Sequence, residues 1–62
     1  MLTENTMMLK SAWILNEMVS NGDCREVHKD IAVAECGRNS DVFFSSIKND
    51  DGSTTEKYAV AV

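Results

Sequence analysis

Two cysteines and one histidine form the one group of residues in this sequence that resembles a metal site. Cys24 and His28 are separated by one helical turn, and Cys36 follows later in the chain. A structural zinc site needs four ligands, and only Asp23 or Glu35 could complete this set. A C-x-x-C pair, a strong sequence sign of zinc binding, is missing. We therefore interpret both cysteines as small buried thiols and predict neither a metal nor another cofactor.

The same residues give weak grounds for catalysis. A cysteine nucleophile needs a base and backbone N–H groups that stabilise the oxyanion, and no Gly-rich segment near Cys24 and His28 offers such groups. The paired carboxylates Asp50 and Asp51 stand among turn-forming residues, where solvation explains them. A chain of 62 residues also leaves little room for a substrate pocket. We predict that the protein is not an enzyme and has no catalytic residues.

Length and charge narrow the possible partners. The chain forms one small domain, residues 1–62. Such a domain buries only about 60% of its unfolded surface and commonly needs oligomerisation or another aid to be stable. The formal net charge of −4 disfavours nucleic acid as a partner, because the field of the molecule repels phosphate. An acidic exterior is usually a solvated surface, but it also fits an inhibitor that imitates DNA in a basic groove.

The N-terminal residues bear on the compartment. Met1 to Glu4 lack the basic start and the apolar core of a secretory signal. No apolar run approaches the roughly 20 residues that a membrane span needs, so we expect no membrane contact. We predict cytoplasmic localisation, where a reducing environment keeps Cys24 and Cys36 as free thiols.

The first periodic segment predicts a helix over residues 6–19, because it is rich in strong helix formers and contains neither Gly nor Pro. Asn21-Gly22 is typical of a helix end. On a helical wheel, Leu9 and Trp13 lie opposite the apolar stripe that would face the core. Two interpretations follow: Trp13 folds over the helix to meet the C-terminal residues, or Leu9 and Trp13 form a partner surface.

A second helix is predicted between Asp23 and Gly37. Asp23 and Glu26 have the spacing of a capping box, and apolar residues then recur at three- and four-residue intervals. The tight connection before Asp23 would make the two helices an αα-hairpin. Residues 31–36 are also compatible with a strand, in which case the chain has one helix and a three-stranded meander.

The last third of the chain predicts a β-hairpin. Residues 42–48 are β-branched and aromatic, residues 49–53 are turn formers, and the closing segment alternates. An isolated hairpin is unstable in water, so it should lie on the helices. The predicted fold is therefore α+β, with an αα-hairpin packed on a C-terminal antiparallel β-hairpin. The side chains expected to face the helices are Phe43, Ile47, Tyr58 and Val60.

The terminal strand suggests how the protein works. Its small outer side chains and lack of Pro leave an open edge, which predicts a homodimer by edge-strand pairing or capture of a partner's strand. We predict a small acidic regulatory factor that acts by protein–protein contact, of the kind that a phage or plasmid encodes as an inhibitor or modulator. The predicted partner-binding residues are Leu9, Trp13, Tyr58, Val60 and Val62.

An alternative is a DNA-binding transcriptional regulator of the helix-turn-helix or winged type. Gly37-Arg38, the following VFF and the turn NDDGS together resemble the C-terminal hairpin of small phage repressors of the Cro type, over about a third of the chain. The residues before them give no recognition helix, so no family is assigned. In this alternative Arg25, Lys29 and Arg38 would contact the nucleic acid, although acidic residues are interleaved with them.

Overall fold

The structure, a computed structural model, describes residues 7–62. It has two helices and four strands in one mixed sheet, so the predicted α+β class with two helices is confirmed. In chain order the elements are β1 (Met7–Leu9), α1 (Ala12–Ser20), β2 (Cys24–Val27), α2 (Lys29–Gly37), β3 (Val42–Lys48) and β4 (Thr54–Ala61).

The sheet has the strand order β1-β3-β4-β2. Strands β3 and β4 form an antiparallel hairpin in the middle of the sheet. Strand β1 pairs with β3 in parallel, and β2 pairs with β4 antiparallel. The edges of the sheet are therefore β1 and β2, whereas the C-terminal strand lies inside it.

The predicted αα-hairpin is wrong, because strand β2 separates the two helices. Asp23 does not cap a helix: its carbonyl accepts from the Val62 N–H and extends the β2–β4 ladder. The second helix instead begins after His28, whose Nδ1 accepts a 3.4 Å hydrogen bond from the Asp30 N–H. The three-stranded meander is also wrong, because residues 31–36 are helical.

The first helix is shorter than predicted. It begins at Ala12 with Ser11 as its N-cap, whereas Met7–Leu9 are a strand; residue 6 lies outside the described residues. The helix ends at Ser20, and Gly22 follows with φ of 85°, a conformation that favours glycine. The end was thus predicted from Asn21-Gly22, but the start was not.

The helices cover opposite faces of the sheet. Ala59 packs in one buried cluster with Leu15 of α1, and Val60 packs in another with Ala32 of α2. Consecutive strand residues point to opposite faces, so the two clusters lie on different sides. The connectivity explains this arrangement. The β1–α1–β2 crossover runs across the sheet, and the β2–α2–β3 crossover runs back. Crossovers of the same hand that run in opposite directions place their helices on opposite faces of the sheet.

This arrangement corrects the predicted orientation of the hairpin. Phe43 pairs with Ala59 and lies on the α1 face, together with Ile47. Tyr58 and Val60 point to the α2 face. The four residues expected on a single face are therefore divided between two.

Candidate functional site

One row of apolar side chains crosses all four strands on the α2 face. In the strand registers Leu9 is paired with Phe44, Phe44 with Tyr58, and Tyr58 with Val27. Cross-strand partners lie on the same face, so the four side chains form a continuous band. We call these four residues the apolar row.

The apolar row is only partly covered. Leu9 is 66% exposed, and Phe44, Tyr58 and Val27 are half-buried. The neighbouring row on the same face contains Val42 and Val60, which are buried with Ala32 beneath α2. Helix α2 therefore covers one row of the sheet and leaves the next accessible.

Two aromatic rings give the apolar row a fixed centre. The Phe44 and Tyr58 rings are stacked, with centroids 6.1 Å apart and an interplanar angle of 19°. The Tyr58 hydroxyl donates a 3.0 Å hydrogen bond to Glu56 Oε1. Partial burial raises the pKa of Tyr58, and the Glu56 carboxylate raises it further. The phenol therefore stays neutral and serves as a polar tip beside an apolar ring.

An open groove of about 810 Å³ continues from the apolar row, between the end of β2 and the first half of β4. Val27 and Tyr58 belong to both features. The groove exists because β2 pairs only with residues 58–61 of β4. Its lining is Glu26, Val27, His28, Lys29, Thr54, Glu56, Lys57 and Tyr58.

Backbone groups also face this groove. The Asn49 N–H donates to the Ser53 carbonyl across the hairpin, so Ser53 points its backbone groups toward β3. Since this direction alternates along a strand, Thr54 and Glu56 point theirs into the groove. Mixed charges and peptide groups that face the groove suit contact with a polypeptide better than with a small apolar ligand.

The structure separates the predicted partner-binding residues. Leu9 and Tyr58 are both in the apolar row. Val60 is 4% exposed and belongs to the core, so its assignment to a surface is wrong. Val62 is 87% exposed at the end of the chain, and Trp13 is 69% exposed on the side of α1 opposite the buried Leu15. Leu9 and Trp13 therefore lie on opposite sides of the sheet and do not form one surface.

The terminal strand is not the open edge that the sequence suggested. Strand β4 pairs with β3 along residues 54–60 and with β2 along residues 58–61. A hydrogen bond from the Val62 N–H to Asp23 continues the second ladder. A homodimer through residues 58–62 is excluded by this pairing, because the backbone groups that it would use already have partners.

The three basic residues of the DNA-binding alternative do not converge. Arg25 lies in β2, Lys29 begins α2, and Arg38 follows its last residue. The length of α2, about 13 Å for its nine residues, separates Lys29 from Arg38. Arg38 Nη1 also lies 3.2 Å from Glu35 Oε2, which offsets its charge.

The residues considered for metal binding are also apart. Cys24 is buried in the α1-face cluster, whereas Cys36 packs against the α2-face cluster. His28 is exposed and caps α2. Within residues 7–62, no three His, Cys, Asp or Glu side chains are grouped to hold a metal ion. Burial raises the pKa of the Cys24 thiol, and the Asp23 charge adds to this effect.

Of the helices in the described part of the chain, none has the length and apolar character needed to cross a membrane. Comparison with protein-family models, curated proteins and solved structures finds no match for this chain. The surface of the protein is therefore the basis for assigning its function.

Sequence reasoning missed two members of the apolar row, Phe44 and Val27. The face of the sheet to which Phe44 points depends on the strand register. The position of Val27 depends on strand β2, which was not predicted.

Proposed function

We propose that this protein is a small non-enzymatic regulatory factor that acts by protein–protein contact through the apolar row and the adjoining groove. The proposal places it in the cytoplasm, as an inhibitor or modulator of the kind that a phage or plasmid encodes. It retains Leu9 and Tyr58 as contact residues and adds Phe44 and Val27.

The observation that carries the proposal is the continuity of the apolar row. Single exposed apolar residues are ordinary on protein surfaces, whereas contiguous patches mark interaction sites. The row spans the full width of the sheet and contains a stacked aromatic pair. Aromatic side chains at the centre of a patch commonly dominate the energetics of an interface.

Charge suggests what the partner presents. The chain carries a net charge of −4, and Glu56 borders the apolar row through its bond to Tyr58. Complementary potentials speed association and disfavour wrong partners. We therefore propose a protein partner with an apolar centre and a basic rim.

The test compares substitutions at the two ends of the apolar row with one elsewhere. Leu9→Lys and Val27→Lys place a charge at each end, and both positions lie on edge strands, where lysine is tolerated. Val62→Lys is the matched control, because Val62 is 87% exposed outside the row. Tagged protein is used to capture partners from host lysate, and circular dichroism verifies that each variant is folded.

We expect wild type and Val62→Lys to capture the same partner and both row variants to lose it. Equal capture by all four proteins would contradict the proposal. Gel-shift titration with duplex DNA addresses the alternative function. Tight binding with a steep salt dependence would favour a nucleic-acid partner and count against the proposed surface.

A further inference from the structure

The outer edge of strand β1 has backbone groups without a strand partner among residues 7–62. The Lys10 N–H donates a 2.8 Å hydrogen bond to the Phe44 carbonyl, so Lys10 points its donor toward β3. Because this direction alternates along a strand, Met8 also points toward β3, while Met7 and Leu9 point outward. Among residues 7–62, no strand pairs with this outer edge.

This edge lacks the charged side chains that protect the other edge, strand β2. Strand β2 carries Arg25 and Glu26, and charged side chains on an edge discourage pairing. Strand β1 is Met-Met-Leu, with Met8 40% and Leu9 66% exposed. The three-residue length of β1 limits the strength of any pairing, but no charge or Pro within the strand opposes the addition of another strand.

We propose that β1 pairs with β1 of a second copy of this chain, antiparallel and across a two-fold axis at Met8. A two-fold axis perpendicular to the sheet keeps each face continuous, so only residues of the same face come opposite each other. With Met8 on the axis, Met7 of each copy lies opposite Leu9 of the other. The outward backbone groups then form two reciprocal hydrogen-bonded pairs.

The side chains are compatible with this register. On the α1 face, the two Met8 side chains meet between the two Phe43 side chains, since Met8 is paired with Phe43 within each copy. On the α2 face, Leu9 lies between its own Phe44 and Met7 of the second copy. No like charges face each other, in contrast to a β2 pairing centred on Arg25.

The pairing joins the two sheets into one of eight strands, and Leu9 at the end of the apolar row then faces Met7 of the second copy. The contact is small, because three residues on each side cover well under the roughly 800 Å² per partner of a stable interface. We therefore expect a weak dimer that forms at high protein concentration. This inference goes beyond the proposed function, because the purified protein should dimerise without any other partner.

A cysteine at the axis tests the register. In the paired strands, the two residues at position 8 form a pair without direct backbone bonds, with Cα atoms about 4.5 Å apart, within the range for a disulfide. Met8→Cys should therefore form a cross-linked dimer under mild oxidation. Leu9→Cys should form much less, since its two copies are diagonal neighbours about 8 Å apart. Ile47→Cys, exposed but away from β1, measures random collision, and wild type measures the contribution of Cys24 and Cys36.

A proline tests the hydrogen bonds. Leu9→Pro removes an outward donor and leaves the Lys10 bond to Phe44 in place, while Leu9→Ala removes the same side chain and keeps the donor. Sedimentation equilibrium should give a dissociation constant about 30-fold larger for Leu9→Pro than for Leu9→Ala, because each dimer of Leu9→Pro loses two backbone hydrogen bonds.

The β1 pairing would be overturned by either of two results. One is that the folded Leu9→Pro and Leu9→Ala variants have equal dissociation constants. The other is that Met8→Cys forms no more cross-linked dimer than Ile47→Cys does. If Leu9→Pro does not fold, the cysteine series decides alone. Both experiments use purified protein without any other partner. Dimerisation can therefore be absent while the apolar row captures a partner, and dimerisation can be present while partner capture is absent.

Discussion

Replacing Leu15 with alanine should cost far more stability than replacing the larger Trp13 on the same helix. Leu15 is 2% exposed and forms a buried cluster with Cys24 and Ala59, whereas Trp13 is 69% exposed. A buried Leu→Ala change costs about 2–5 kcal/mol, because transfer energy is lost and a cavity remains. An exposed side chain away from the core usually contributes less than about 0.5 kcal/mol.

These magnitudes are large for so small a chain. At 62 residues, the free energy of unfolding is expected to be about 3–9 kcal/mol. Leu15→Ala should therefore unfold a substantial fraction of the protein, and Trp13→Ala should leave it close to wild type. Leu15→Met conserves volume and should cost less than about 1.5 kcal/mol, which keeps one core variant measurable.

Urea denaturation followed by far-ultraviolet circular dichroism is the appropriate assay. Trp13 is exposed in the folded protein, so its fluorescence should change little on unfolding and is a poor probe. If Trp13→Ala lowered the free energy of unfolding as much as Leu15→Ala does, Trp13 would have to cover apolar surface. The orientation of α1, and with it the separation of Trp13 from the apolar row, would then be wrong.

Four further outcomes are expected. The free energy of unfolding should fall as the pH rises above about 8.5, and urea midpoints measured across pH test this. Burial raises the pKa of Cys24 and of Tyr58 in the folded protein. The unfolded chain therefore loses these protons at a lower pH than the folded protein does, which favours unfolding. Hydrogen bonds from Ser53 lower the pKa of Asp51, so its contribution should be lost as the pH falls below about 4. Iodoacetamide should alkylate half-buried Cys36 before buried Cys24, a difference that urea should abolish, as mass spectrometry can show. Asn39 has φ of 65°, so Asn39→Val should cost about 1–2 kcal/mol in thermal or urea unfolding and Asn39→Gly very little.

The elements predicted well are those whose signal is local. The β3–β4 hairpin follows from β-branched residues on both sides of a turn in which Gly52 has φ of 91°. The end of α1 follows from Asn21-Gly22. Both features depend on residues adjacent in sequence, so no knowledge of tertiary contacts was needed.

The two edge strands were missed because their signal is not local. Strand β1 is three residues long and consists of Met and Leu, which are good helix formers, so its residues fit a helical period as well as a strand. Strand β2 is four residues long and contains the spacing of a capping box. Short strands of this kind are stable only when paired, and their partners, β3 and β4, lie 30 or more residues later.

Two residues of the candidate surface, Leu9 and Tyr58, were predicted, but their positions in the fold were not. Leu9 and Tyr58 were chosen as an exposed helical residue and an open-edge residue, but both are strand residues in one row of side chains that crosses the sheet. A one-residue change of register moves every side chain of a strand to the other face. The register paired Phe44 with Tyr58 and buried Val60, which composition alone could not determine.

The exposed apolar surface has a geometric cause in the lengths of the elements. Each face of the sheet is covered by one nine-residue helix, about 13 Å long. The central strands have seven and eight residues and extend for roughly 23–27 Å. A single helix cannot cover strands of that length, and the connectivity assigns one helix to each face. Among residues 7–62, the apolar row on the α2 face and Ile47 on the α1 face are therefore left accessible by the same mismatch.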